Sequence, residues 1–188
     1  MTRRMLWIGL AVCLLGALTL PLIGLAQEEE REMPPMGPPK EMKQIAGMAG
    51  VYDVEFKFRM DPNQDWTNSK ALATIKMVLD GAAQQMDYQG EMMGMKFSGL
   101  GLTAYNRETK KWQSTWVDNM SGQISMTEGD LADGKMVLTG VDVMQGMKVH
   151  TRHTWHNMTE KGFEWSMEMS MDGGENYVTS GTATYTKR

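Results

Sequence analysis

The sequence predicts an all-β fold, an antiparallel up-and-down barrel of about ten strands preceded by one short helix, and three observations carry that reading. Val51–Met60 places Tyr52, Val54, Phe56, Phe58 and Met60 on one parity, with Asp53, Glu55, Lys57 and Arg59 on the other. Gly162–Met171 repeats the pattern, with Phe163, Trp165, Met167, Met169 and Met171 against Glu164, Ser166, Glu168 and Ser170. Side chains two apart share a face only in a strand; a helix would scatter them around its circumference. Turn residues recur between such runs at short intervals, which leaves no room for crossover helices. A long sheet with one apolar face folds over itself, and closure removes both exposed edges, so a barrel is favoured over a sandwich.

The chain start reads as a secretory leader over Met1–Ala26. Arg3 and Arg4 give it a positive start, Leu6–Leu20 an apolar run, and Gly24-Leu25-Ala26 small residues before a cleavage point. The apolar run is also long enough for an uncleaved anchor, but the acidic Gln27-Glu28-Glu29-Glu30 that follows favours cleavage. Arg3-Arg4 touches the twin-arginine pattern, so the export route stays open. Cleavage removes Cys13, the single cysteine, and with it any disulfide or thiol chemistry. It also makes the net charge of −4 two units more negative. An acidic protein lacks the basic footprint that nucleic acid or an anionic bilayer requires. The expectation is an exported protein, periplasmic or extracellular, with no membrane contact after cleavage.

Residues 27–40 are acidic and then proline-rich, with too little to bury, and read as a disordered tether. The barrel domain is expected from Glu41 to Arg188. Met42, Ile45, Ala46 and Ala49 give Glu41–Ala49 a short helical stripe that would plug one end of the sheet. After Val51–Met60, strands are expected near Lys70–Leu79, Ala82–Glu91, Met95–Asn106, Lys111–Asp118, Gly122–Glu128, Lys135–Asp142, Met147–Met158, Gly162–Met171 and Asn176–Thr186. Asp61-Pro62-Asn63, Asp80-Gly81, Met93-Gly94, Asn119–Gly122, Asp133-Gly134, Gln145-Gly146 and Asp172-Gly173-Gly174 supply turns between them. The outward positions carry Asp, Glu, Lys and Arg, the opposite of a lipid-facing barrel.

The central stretch carries a resemblance. Tyr88-Gln89-Gly90-Glu91-Met92-Met93-Gly94-Met95, then Phe97-x-Gly99-x-Gly101-x-Thr103-x-Tyr105-Asn106 and Trp116-x-Asp118-x-Met120-Ser121, resemble the bacterial domain-of-unknown-function 1579 family, as does Lys43-Gln44-Ile45-Ala46-Gly47. The resemblance spans about residues 41–187 and implies a lipocalin-like barrel without a settled function. The chain departs from the family's pattern in having Gly50-Val51-Tyr52 for Gly-Thr-Trp, and Asp80-Gly81-Ala82 where an arginine usually follows a glycine pair.

Methionine is the compositional outlier, at 21 residues. Thioethers are soft ligands suited to Cu(I), and Met92-Met93-x-Met95 and Met167-x-Met169-x-Met171 have suggestive spacings. Methionine also fills irregular core gaps, and Met167, Met169 and Met171 continue the face of Phe163 and Trp165. Core filling is therefore expected, and no metal or cofactor. His150, His153 and His156 would share a face on a helix, but on a strand His153 points away from the other two, which lie roughly 20 Å apart. By parity with Val149 and Trp155, His153 faces inward. Asp61-x-Asn63-x-Asp65 begins like a calcium loop but has Trp66 and Leu72 where glycine and an acid belong. Asp87 and Asp118 show no convergence that would make an acid pair.

The candidate cavity lining is Gln84, Tyr88, Tyr105, Trp116, His153, Trp155, Trp165 and Met167, with no catalytic residue assigned. The expected function is binding of a small, largely apolar molecule inside a non-catalytic barrel. The alternatives are an isomerase or hydrolase using His153 with Gln84 or Tyr88, and a structural or interaction protein whose own Met and Trp side chains fill the interior. A cavity of about 300–1,000 Å³ would support binding. Oligomeric state stays open.

Overall fold

Alternating apolar and polar residues can bury one face only by pairing strands edge to edge, and the chain does so throughout. The computed structural model describes residues 36–188. The expected leader and most of the expected tether lie outside the described residues. The strands are β1 (Gly50–Phe58), β2 (Thr67–Val78), β3 (Ala83–Met92), β4 (Met95–Asn106), β5 (Lys111–Asp118), β6 (Ser125–Ala132), β7 (Lys135–Met144), β8 (Met147–Thr159), β9 (Gly162–Ser170) and β10 (Val178–Lys187). Each pairs antiparallel with its sequence neighbour, and β10 returns to β1, closing the sheet into an up-and-down barrel.

Tight turns set the registers. Met93-Gly94, Asp133-Gly134 and Gln145-Gly146 have positive φ at both positions, the two-residue hairpin turn whose twist matches the strands it joins. The fifth connection is longer than the sequence suggests. Asp118 Oδ1 accepts from the Met120 and Ser121 backbone N–H groups at 2.9 and 2.6 Å, which holds a loop through Ile124. The sixth strand therefore starts at Ser125 rather than Gly122 and runs on to Ala132. The calcium-like stretch is a turn, with Asn63 N–H donating to Asp61 Oδ1 at 2.8 Å.

One end of the barrel is stoppered. A 3₁₀ turn, Lys40–Met42, runs into α1 (Lys43–Ala46). It begins one residue before the expected domain start. Met42, Ile45 and Met48 are buried, while Ala46 is exposed. The buried stripe thus steps by three, because side chains eclipse at that spacing in a tight turn. The barrel also binds two carbonyls at the end of this segment. The Tyr52 hydroxyl donates to Met48 O at 2.7 Å and Gln84 Nε2 to Ile45 O at 3.0 Å. Beneath lie Tyr52, Phe163 and Tyr185, with Phe163 stacked on Tyr185 at 4.2 Å and edge-on to Tyr52 at 5.4 Å. Burial of each such side chain stabilises the fold by about 1.5–3 kcal/mol.

The outer wall differs from the charged surface expected. Leu100, Leu102, Met126, Val141 and Val143 are exposed on the outward parity of β4, β6 and β7. Charge is concentrated elsewhere, as in the two-pronged pair of Arg152 with Glu168, at 2.7 and 2.9 Å.

Candidate functional site

Pairing registers put the inward residues in rows, and those rows change character along the barrel axis. Near α1, Tyr52, Val54, Ala73, Ile75, Trp112, Met136 and Leu138 are fully buried. The void left there, lined by Ile45, Met48, Gln84, Thr103, Met136, Trp155 and Met158, holds about 10 Å³, room for no more than a water. Farther along, Phe56, Phe97, Trp116, His153, Trp165 and Met167 occupy inward positions yet stay only half-buried. Most of these side chains pack against the core yet keep part of their surface accessible, while Thr151 and Val149, inward on β8 and farther from α1 than His153, are sealed. A separate hollow of about 360 Å³ lies on the outer side of β1 and β2, against Glu55, Lys57, Asn68 and Lys70, with Phe56 and Ser69 behind them, and is not part of the lumen.

His153 sits at the heart of this half. Its register partners are Leu138 on β7 and Met167 on β9, and its ring lies 6.1 Å from Trp155, near parallel, and 5.5 Å from Trp165. Burial among these groups disfavours the cation and pushes the imidazole down to about 4. His153 is neutral at pH 7, with one donor and one acceptor nitrogen. Tyr88 is edge-on to Phe97 and Trp116, at 5.8 and 6.0 Å, and burial raises its hydroxyl to about 12. Tyr185 is raised as well, first by burial and then by the nearby Tyr88. Neither tyrosine hydroxyl nor the His153 imidazole has a hydrogen-bond partner among the described residues. Thr151 Oγ1, on the same inward face as His153, is sealed from solvent and also unpaired. Buried polar groups are normally satisfied, and Thr151 Oγ1 is the fully sealed exception among the described residues.

The other sequence candidates divide. Trp116, Trp165 and Met167 share the half away from α1 with Tyr88 and His153. Gln84 and Trp155 line the small void near α1, where the Gln84 amide is committed to Ile45 O, so Gln84 is not available as a partner for His153. Tyr105 packs edge-on against Trp112 at 5.4 Å. His156 lies outside, its Nδ1 3.4 Å from Glu164 Oε2. Among the described residues no group of three His, Asp or Glu is placed to hold a metal ion. Phe56 was read as inward but not placed among the lining residues, and Thr151 and Tyr185 were not singled out from the sequence, although their parity with His153 and Val149, and the run of the last strand, carried the signal.

The glycine-spaced motif has a structural explanation. Trp116 lies flat across β4, and a Cβ at Gly99 would fall within its ring, while one at Gly101 would meet Trp116 Cε3 at 3.3 Å. Trp116 Nε1–H donates to Asp118 Oδ2 at 3.0 Å, fixing the indole. Burial raises the Asp118 carboxyl, but that bond and the two backbone donors outweigh it and hold the group below the usual range. Gly99, Gly101, Trp116 and Asp118 thus form one device that lays an aromatic wall along the lumen.

Two solved structures share the architecture. Rv2717c from M. tuberculosis superposes with a TM-score of 0.59 at 9% identity, covering 81% of this chain and 99% of its own. The S-type phycobiliprotein lyase CPES from Guillardia theta gives 0.54 at 9% identity, covering 78% of this chain and 91% of its own. At that identity the likeness shows the fold alone. No curated protein matches the chain in sequence. The Gly-Trp-Asp device, the stoppering helix and the closed ten-strand sheet fall within residues 37–187, which match the family described as protein of unknown function (DUF1579), and the chain belongs to that family.

Proposed function

We propose that the protein is an exported, non-catalytic barrel that binds a small, largely apolar molecule in the half of its lumen away from α1. The observation that carries this is the set of inward aromatic side chains, Phe56, Phe97, Trp116 and Trp165, left half-covered around a neutral histidine. The leader-like start supports export. An apolar body would cover those rings, and a neutral hydroxyl, amide or ring nitrogen on it would meet His153 or Tyr88. Among the described residues nothing beside His153 makes it a general base: its ring partners are indoles, and no carboxylate is bonded to it.

Native mass spectrometry of protein purified from its own exported fraction tests the reading. A bound small molecule that leaves on mild activation, and whose retention falls in His153→Leu and Trp165→Ala, is the expected result. Protein that arrives empty and takes up no apolar fluorescent probe overturns it.

A further inference from the structure

The sequence assigns the surplus methionines to the core, yet many are not there. In an up-and-down barrel whose first strand starts beside α1, five connections lie at the opposite end: 59–66, 93–94, 119–124, 145–146 and 171–177. Each carries or adjoins an exposed methionine. Met60, Met93 and Met171 are 71, 67 and 60% exposed, and Met120 is exposed as well. Two hairpins are closed by methionine pairs, Met92 with Met95 and Met144 with Met147. All four members of those pairs share the parity of inward residues, Met92 that of Tyr88 and Met95 that of Phe97, Met144 that of Leu138 and Met147 that of Val149. They therefore stand at the rim, turned toward the axis. The connections at the α1 end, 79–82, 107–110, 133–134 and 160–161, contain no methionine.

Core packing cannot explain side chains that are half or more exposed. A flexible, unbranched thioether is suited to a surface that apolar molecules of varied shape must slide across. The α1 end leaves only about 10 Å³ between stopper and wall, so a ligand has no passage there. We infer that the end opposite α1 is the ligand's way in, that a methionine collar forms its rim, and that oxidation of the collar slows passage. This rests on the lumen-binding reading above. A peroxide is the oxidant: the thioether sulfur takes one oxygen as the O–O bond breaks, water leaves, and an apolar side chain becomes a polar sulfoxide. Met95 and Met147 are half exposed, Met144 is exposed and Met92 is partly exposed, whereas Met42, Met48 and Met136 are sealed, so the rim reacts first.

Stopped-flow binding of N-phenyl-1-naphthylamine to the mature protein tests this, before and after hydrogen peroxide treatment, with peptide mass spectrometry verifying rim sulfoxides. Oxidation is expected to slow probe association and release together by about fivefold, the equivalent of about one lost thioether contact. The variant Met92→Leu/Met95→Leu/Met144→Leu/Met147→Leu keeps an apolar rim that peroxide cannot alter there. It is expected to bind at close to the wild-type rate and to slow by less than about twofold on treatment. Each hairpin changed alone serves if the quadruple variant folds poorly, and should give part of the protection. Unchanged rates in wild type with rim sulfoxides verified, or equal slowing in the leucine variants, overturn the collar and leave lumen binding standing. Absence of any probe binding overturns both.

Discussion

His153 shows how one residue combines packing with chemistry. Its imidazole is held neutral by the indoles around it, with a folded-state value of about 4 against an ordinary 6.5. Below about pH 6.5 the unfolded chain takes up a proton that the folded chain refuses. The folded state is therefore favoured fully above 6.5 and loses that advantage as the pH falls toward 4. Each tenfold difference in proton affinity between the two states is worth about 1.4 kcal/mol. Denaturant melts should therefore show wild type losing about 2 kcal/mol more than His153→Leu between pH 7 and pH 5. Equal losses would mean that the ring is solvated and the lumen wet. The inward direction of His153 was legible from strand parity alone. Its lack of a partner was not, because only the assembled barrel shows which atoms reach it.

At the scale of the element, the stopper is the part whose sequence signal and structure differ most. Apolar residues at Met42, Ile45, Ala46 and Ala49 suggested a regular helical stripe, but four residues of α-helix behind a 3₁₀ turn cannot sustain one. The barrel decides the geometry by accepting Ile45 and Met48 into its end and binding their carbonyls through Gln84 and Tyr52. Ile45 is 1% exposed, so Ile45→Ala should cost about 2–4 kcal/mol of stability in chemical denaturation. A cost below about 0.5 kcal/mol would show that the helix only rests on the barrel. The strands, by contrast, were readable because period two and positive-φ turn residues are local properties. The start of β6 was missed because the loop before it is held by Asp118, a contact between a side chain and backbone that leaves no periodic trace.

For the whole molecule, the question is how evenly the interior is filled, and two substitutions on one strand, β9, answer it. Trp165 faces the lumen half-covered, so Trp165→Ala should cost about 1–2 kcal/mol, well short of the about 3–5 kcal/mol of a tightly packed aromatic. Glu168, expected to be a bystander on the wet face, instead grips Arg152 with both oxygens, and Glu168→Ala should cost about 0.5–1 kcal/mol. A loss above about 3 kcal/mol at Trp165 would mean a filled core and no site. The sequence by itself determined the all-β class, about ten strands, their up-and-down order and most of the inward positions within them, because alternation and turn chemistry are written along the chain. It did not determine Met60 and Met171, which lie past the strand ends and are exposed. Only the tertiary structure decided that the rows near α1 are tightly packed while several inward aromatic side chains beyond them stay partly accessible. It also decided that exposed methionines gather at the connections opposite α1 and that a patch of the outer wall is apolar. Those properties depend on closure: how far ten strands curve, where a short helix enters, and how much volume the inward side chains leave between them once the sheet has met itself.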